Sequence, residues 1–302
     1  MKELVKSLLP DSAVAFIRRI KREWQIIKKR IRILLSLPLK EKPSKIKFEI
    51  NLAEHCNLNC YGCMNFSNIA EPEFVSIEDF NRDMARMGEI FGHECERIYL
   101  IGGEPLLNPE ICELIKIARE HFIKGDIFVF TNGILLARQD GNFWETCRDN
   151  DTGILISAYP IKLDKDTIRN MADKFGVSVK WAWNQAENER AEFVIEAINL
   201  AGNNNAKLNF ALCERAFNCT TLKRGRLFTC PFAAHVEHFN KRFGQNVNIT
   251  EADYIDIYKT DDPGEILRRL AEPIPACRYC NKVNPPKKIA WQHSRGEISE
   301  WL

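Results

Sequence analysis

Cys56-Asn57-Leu58-Asn59-Cys60-Tyr61-Gly62-Cys63, set directly after the apolar run at residues 45–51, decides how this chain is read. Three cysteines stand in a C-x3-C-x2-C pattern within eight residues. Three thiolates this close can hold three irons of a [4Fe–4S] cube and leave the fourth iron without a protein ligand. An open iron is a place where a small molecule binds and receives an electron. A structural zinc site would need four closed ligands, more often from paired C-x2-C knuckles. His55 adjoins Cys56 as a candidate fourth zinc ligand, although adjacent residues rarely chelate one metal.

Outward from this loop, strand and helix patterns alternate. Residues 45–51 read as a strand, 77–91 as a helix, and 97–101 as a strand that ends in Gly102-Gly103-Glu104-Pro105. A helix over 109–121 precedes a strand over 126–130, which ends in Thr131-Asn132-Gly133. A strand over 154–157 runs into Tyr159-Pro160, and a helix over 165–175 leads to a strand over 177–181. Such alternation predicts an α/β fold of parallel βαβ units. Functional loops in such folds gather at the C-terminal ends of the strands. Each unusual motif falls at such an end, so they are expected to share one site. After about Leu208 the alternation stops, and the remainder reads as a smaller appendage.

The 302 residues carry a net charge of only +2 and eleven cysteines, too few for a disulfide scaffold. The count is odd and no secretory signal is read at the start, so the cysteines are expected in a reducing cytoplasm, as metal ligands or buried thiols. Residues 1–49 hold 14 Lys/Arg against 5 Asp/Glu, a local +9 that leaves −7 over the rest. That split excludes a global nucleic-acid role. Residues 12–37 read as an amphipathic helix, with Ile17, Ile20, Trp24, Ile27, Ile31 and Leu34 on one face and Arg/Lys on the flanks. It either packs on protein or lies on an anionic membrane surface.

A C-x3-C-x2-C loop after the first strand, with Gly-Gly-Glu-Pro after the second, resembles the radical S-adenosylmethionine (radical SAM) superfamily. The resemblance implies a partial (β/α)6 barrel in which Cys56, Cys60 and Cys63 ligate a [4Fe–4S] cluster. It further implies that Gly102, Gly103 and Glu104 meet the amino group of S-adenosylmethionine, and that Ser157 bonds its ribose or carboxylate. Asn132 is a further cofactor candidate, although Thr-Asn-Gly also reads simply as a turn. The family usually has an aromatic just before the third cysteine. Here that position is Gly62, whose backbone would meet the adenine, and the aromatic is Tyr61.

Cys213, Cys230, Cys277 and Cys280 form a C-x11-G-x4-C and a later C-x2-C. This arrangement resembles the truncated SPASM, or "twitch", extension, which implies an auxiliary [4Fe–4S] cluster. A four-cysteine zinc site is the alternative. Cys219 is left over and is a candidate hydrogen donor. Cys95, Cys112 and Cys147 read as small buried hydrophobes. His235 and His238 lie three apart on an expected helix, as a metal site or as ordinary paired histidines. Arg278, Tyr279 and Trp181 are candidates to line a substrate cavity.

The expected organisation is a basic helical arm and linker over 1–45, a radical SAM core over 46–207, and a cluster-binding extension over 208–302. The resemblance implies reductive cleavage of S-adenosylmethionine and hydrogen abstraction, with oxidation or epimerisation of a carbohydrate or cyclitol as the leading expectation. A peptide-modifying maturase and a non-catalytic iron–sulfur scaffold are the alternatives. Expected partners are a saccharide substrate, an electron donor such as flavodoxin or ferredoxin, and a membrane surface contacted through 12–37, with no nucleic acid. The location expected is cytoplasmic, with a possible place on the inner membrane face.

Overall fold

The computed structural model describes Ile20, Trp24 and residues 43–182, 192–284 and 287–302. The basic helix expected over 12–37 lies outside the described residues, apart from Ile20 and Trp24, which are both exposed. No helix among the described residues is long and apolar enough to cross a membrane.

One sheet organises the chain. Its strands are β1 (Lys47–Asn51), β2 (Glu94–Ile101), β3 (Lys124–Thr131), β4 (Thr152–Ile156), β5 (Val179–Trp181), β7 (Thr221–Lys223), β8 (Arg226–Phe228) and β9 (Tyr254–Asp256). Their order is β5-β4-β3-β2-β1-β7-β8-β9. The first six in that order run parallel, and the last two pairs, β7 with β8 and β8 with β9, are antiparallel. This is the expected partial barrel of parallel strands. Its sixth parallel strand is β7, beyond the point where the sequence pattern stops alternating. Thr221-Leu222-Lys223 is too short and too polar to be read as a strand, and its pairing with β1 on one side and β8 on the other makes it one. A separate two-stranded sheet pairs β6 (Glu192–Ile195) with β10 (Lys287–Ala290).

Helices cover one face of the sheet. The first, α1 (Ile77–Phe91), starts at Ser76, whose hydroxyl accepts from the Asp79 amide at 3.1 Å. It ends at Gly92, where φ of +63° is the left-handed conformation that a glycine adopts freely. Phe80, Met84 and Met87 of α1 share the main core with Phe48 and Ile50 of β1 and with Leu52 just beyond it. The alternation of a strand then turns Lys47, Glu49 and Asn51 to the opposite, concave face.

Next come α2 (Ile111–His121), α3 (Gly141–Asp149) and α4 (Lys165–Phe175). Helix α3 goes unread in the sequence because it is short and polar at its ends. Asp140 caps it by accepting from the Phe143 amide, and Phe143, Trp144 and Cys147 bury its inner face. The strands β2, β3 and β4 begin two to three residues before the expected starts. Charged Glu94 and Lys124 and the polar Thr152 open them, and backbone pairing carries them in without an apolar signal. Cys95 and Cys147 are buried as expected, while Cys112 is half-buried against the core.

Beyond β6 lie α5 (Ala206–Leu212), α6 (Pro231–Phe243) and α7 (Pro263–Leu270). A second core joins Phe66 of the cysteine loop to Phe232, Val236 and Phe239 of α6, and to Tyr279 and Trp301. Phe66 holds φ of +55° and packs 5.6 Å from the Phe239 ring and 5.9 Å from that of Trp301. Tyr279, expected at a substrate cavity, is instead a buried member of this core. Its hydroxyl accepts from the Asn248 amide.

Candidate functional site

The cysteine loop leaves β1 and is held at once by β2. Leu52 donates its amide to Ile101, Gly103 to Ala53, and Glu104 to His55, so pairing continues past the ends of both strands. The two glycines are required by this approach. A Cβ on Gly103 would stand 2.1 Å from the His55 carbonyl oxygen and 2.8 Å from the Cys56 nitrogen. A Cβ on Gly102 would stand 2.4 Å from the Ala53 oxygen. The space that a side chain would take is therefore filled by the loop's own backbone. The ring of His55 turns onto Phe74, 5.1 Å away, rather than toward the cysteines.

Glu104 is fully buried and knits the ends of β2 and β3. One carboxylate oxygen accepts from the Thr131 hydroxyl at 2.6 Å and the Leu106 amide at 3.1 Å; the other accepts from the Asn132 amide at 2.8 Å. Burial raises this carboxyl to about 7, and those three donors pull against the rise. Asn132 serves as more than a turn residue. Its Oδ1 accepts from the Ile134 amide, while its Nδ2 donates to Asn57 Oδ1 at 2.8 Å and approaches Cys56 Sγ at 3.7 Å.

The thiols are surrounded by donors. Cys56 Sγ accepts from the Leu58 amide at 3.3 Å, and Cys60 Sγ from Trp291 Nε1 at 3.1 Å and from Tyr159. The backbone amides of Asn65, Phe66, Ser67 and Asn68 converge on Cys63. Burial pushes Cys56 and Cys60 up to about 12 and raises Cys63 as well. Neutral thiols gain little from so many N–H groups, whereas metal-bound thiolates need such donors.

Ser157 sits at the end of β4, and its side chain bonds that of Tyr159. Tyr159 lies close to Cys60, Cys63 and Cys56, and its ring is 6.2 Å from that of Trp291. Tyr159 and Trp291 escaped the sequence reading as site residues. For Tyr159 a signal existed, its place beside Pro160 at a strand end. For Trp291 there was none, because residues 287–302 reach the loop from far along the chain.

That segment closes over the loop. Ser294 donates its amide to Asn59, Tyr61 donates to Gln292, and Trp301 Nε1 donates to the Cys63 carbonyl at 2.9 Å. Gly62 donates its amide to the buried Glu300 carboxylate at 3.3 Å, and a Cβ on it would meet Ile195 Cδ1 at 2.7 Å.

The second cysteine set also converges. Cys213 ends α5, Cys230 precedes α6, and Cys277 and Cys280 lie in and after the short turn Pro275–Tyr279. Cys230 is raised by burial and then by the charges of Cys280, Cys277 and Cys213. Cys280 is pushed up to about 12 by burial, with Cys277 and Cys213 again among its neighbours. Asn209, 2% exposed, pins the C-x2-C turn. Its Nδ2 donates to the Cys277 and Cys280 carbonyls at 2.8 and 2.6 Å, and its Oδ1 accepts from the Lys282 amide.

Thiolates bound tetrahedrally to zinc at about 2.3 Å stand ~3.8 Å apart. Among the described residues, no three of these cysteines bring their sulfurs within 4.8 Å of one another. Cys219 has Glu49, Arg215, Cys213 and Lys47 as its charged neighbours, and burial pushes it up to about 12.

Comparison with known proteins agrees with this loop. Residues 50–176 match the family model of the Radical SAM superfamily. The chain is 36% identical over 93 residues to a probable GTP 3',8-cyclase of Methanocaldococcus jannaschii, covering 29% of this chain and 28% of that one. It is 29% identical over 126 residues to the GTP 3',8-cyclase of Chlorobaculum tepidum, covering 42% and 36%. The chain thus spans about a third of the length of these curated relatives. Among solved structures, BtrN in complex with AdoMet and 2-DOIA is similar at a TM-score of 0.46 and 17% identity, over 80% of this chain and 94% of that one. The structure of anSMEcpe with bound AdoMet and Cp18Cys peptide is similar at a TM-score of 0.36 and 19% identity, over 45% and 42%. Radical SAM proteins bind a [4Fe–4S] cluster and S-adenosylmethionine, and residues 50–176 of this chain, which contain Cys56, Cys60 and Cys63, are a radical SAM domain.

Proposed function

We propose that this chain is a radical SAM oxidoreductase with two clusters, which oxidises, or epimerises, a carbohydrate or cyclitol. Cys56, Cys60 and Cys63 would hold the first [4Fe–4S] cluster, and Cys213, Cys230, Cys277 and Cys280 an auxiliary one. The observation that carries this reading is the convergence of those four distant cysteines, with Asn209 holding the Cys277 and Cys280 carbonyls. Four protein thiolates leave no iron open, so the auxiliary cluster suits electron uptake from an oxidised substrate. When bound, the first cluster and S-adenosylmethionine supply the electron and the 5′-deoxyadenosyl radical that removes a substrate hydrogen.

The chain's own groups position and enclose. Gly102 and Gly103 let the loop seat against β2, and the Gly102 and Gly103 carbonyls with Glu104 would receive the cofactor's ammonium. Ser157 and Asn132 would take its ribose or carboxylate, and the Gly62 backbone its adenine. Tyr159 and Trp291 donate to Cys60 and cover it. Cys219, if it acts, would return a hydrogen and turn oxidation into epimerisation. Residues 1–45 would form a basic arm, 46–207 the core and 208–302 the cluster extension, with flavodoxin or ferredoxin as reductant. The arm would bring the enzyme to an anionic membrane surface carrying its saccharide.

Anaerobic reconstitution tests this. About eight irons per chain and release of 5′-deoxyadenosine from reduced protein are expected, with Cys60→Ala abolishing release. About four irons would remove the auxiliary cluster. A panel of cyclitols and sugars, with GTP and peptides alongside, reads the substrate. Turnover of GTP or a peptide alone would overturn the carbohydrate assignment.

A further inference from the structure

His235 and His238 of α6 and Glu54, the last residue but one before Cys56, meet at a point that the chemistry above does not use. His238 Nε2 lies 2.6 Å and His235 Nδ1 3.1 Å from one oxygen of Glu54, Oε2. Among the described residues, this is the group of three metal-ligating side chains whose donor atoms lie within 4.8 Å of one another. Glu54 is 7% exposed and His235 fully buried, while the His238 ring reaches a cleft of about 880 Å³ and so gives a path of entry. A tetrahedral ion with bonds of about 2.1 Å needs its ligands ~3.4 Å apart, so each histidine nitrogen would draw back from Oε2 by less than ~1 Å.

A cation already reaches the point. Lys223 of β7 donates to Glu54 Oε2 at 2.9 Å, and its Nζ lies 3.2 Å from His235 Nδ1. That arrangement contains a mismatch. If His235 Nδ1 carries a proton, it bonds Glu54 but faces an ammonium; if it is bare, it accepts from Lys223 but turns a lone pair toward the carboxylate. A divalent cation resolves the conflict, because it takes lone pairs from Oε2, Nδ1 and Nε2 together. Lys223 has a second carboxylate in place, Glu237 Oε1 at 2.8 Å, and can be released to it.

We propose that Glu54, His235 and His238 form a site for one divalent cation of zinc's class, with Lys223 as its built-in competitor. Two imidazoles and one carboxylate are a borderline donor set that suits zinc or ferrous iron over magnesium or calcium. His238 lines the cleft, from which water would complete the shell. The site is separate from both cysteine sets and does not depend on the substrate assigned above.

The test begins with holoenzyme whose cysteines are already filled by iron–sulfur clusters. Zinc(II) is added and the protein passed through gel filtration, followed by metal analysis and zinc X-ray absorption. One retained zinc per chain is expected, with a shell of N/O atoms at about 2.0–2.1 Å and no sulfur at about 2.3 Å. His235→Ala combined with His238→Ala should abolish retention, and Lys223→Met should tighten binding about tenfold or more by removing the competitor. Failure to retain zinc, a sulfur shell, or unchanged affinity in Lys223→Met each overturns the proposal. The Lys223→Met comparison decides the matter even if the double histidine variant does not fold.

Discussion

Glu49 lies on the concave face of β1, 8% exposed, and accepts from the Thr221 hydroxyl at 3.0 Å. Burial raises its carboxyl from 4.5 to about 7, partly opposed by Thr221 and Arg215. The neutral form is the one this fold prefers. Its stabilising contribution is fully present below pH 4.5 and is lost as pH rises through about 7. At ~1.36 kcal/mol per unit, the loss above pH 7 is about 3 kcal/mol. Glu49→Gln keeps the shape and an oxygen for Thr221 while removing the ionisation. The variant should therefore match wild type near pH 4 and exceed it by about 3 kcal/mol at pH 8. Anaerobic denaturation of both proteins at the two pH values reads the difference. A gain equal at both pH values, or a loss at pH 8, would refute the reasoning, because only titration of a buried carboxyl makes the gain pH-dependent.

Gly103→Ala should drive a methyl group into the His55 carbonyl and expel the cysteine loop; iron analysis should show the first cluster lost and the auxiliary one kept. Trp291→Phe removes a donor to Cys60 Sγ and should lower the potential of that cluster by an amount on the order of tens of millivolts, read by an EPR redox titration. Asn209→Ala strips two carbonyls and one amide of their buried partner, a cost of about 2–3 kcal/mol; auxiliary iron should leave first during mild chelation. An unchanged order of iron loss would count against Asn209 as the pin of the Cys277–Cys280 turn.

The barrel was legible because its signals are local. Each of β1 to β5 shows an apolar run, and α1 and α4 appear with the bounds their periodicity predicts. Cys56, Cys60 and Cys63 were legible because three metal ligands within eight residues need no tertiary knowledge. What stayed hidden depends on distant pairing. Strand β7 exists through its bonds to β1 and β8, and α3 through capping by Asp140. Trp291, Glu300 and Glu54 are single residues with no local pattern, and each acquires its partner across more than a hundred residues. The role of the Gly-Gly pair was legible as a need for close approach, but the sequence could not say that the approaching backbone is that of Ala53 and His55.

The closure of residues 287–302 over the cysteine loop sets an order of events during synthesis. Trp301, which donates to Cys63, follows it by 238 residues. At ribosomal rates of about 5–20 residues per second, the loop emerges roughly 10–50 s before its cover. During that interval the three thiols are open to an iron–sulfur carrier, and afterwards Cys60 is buried and Cys56 and Cys63 are half-buried. Cells that deliver clusters late would then have to reopen the cover, whereas those that deliver them to the nascent chain would meet no barrier.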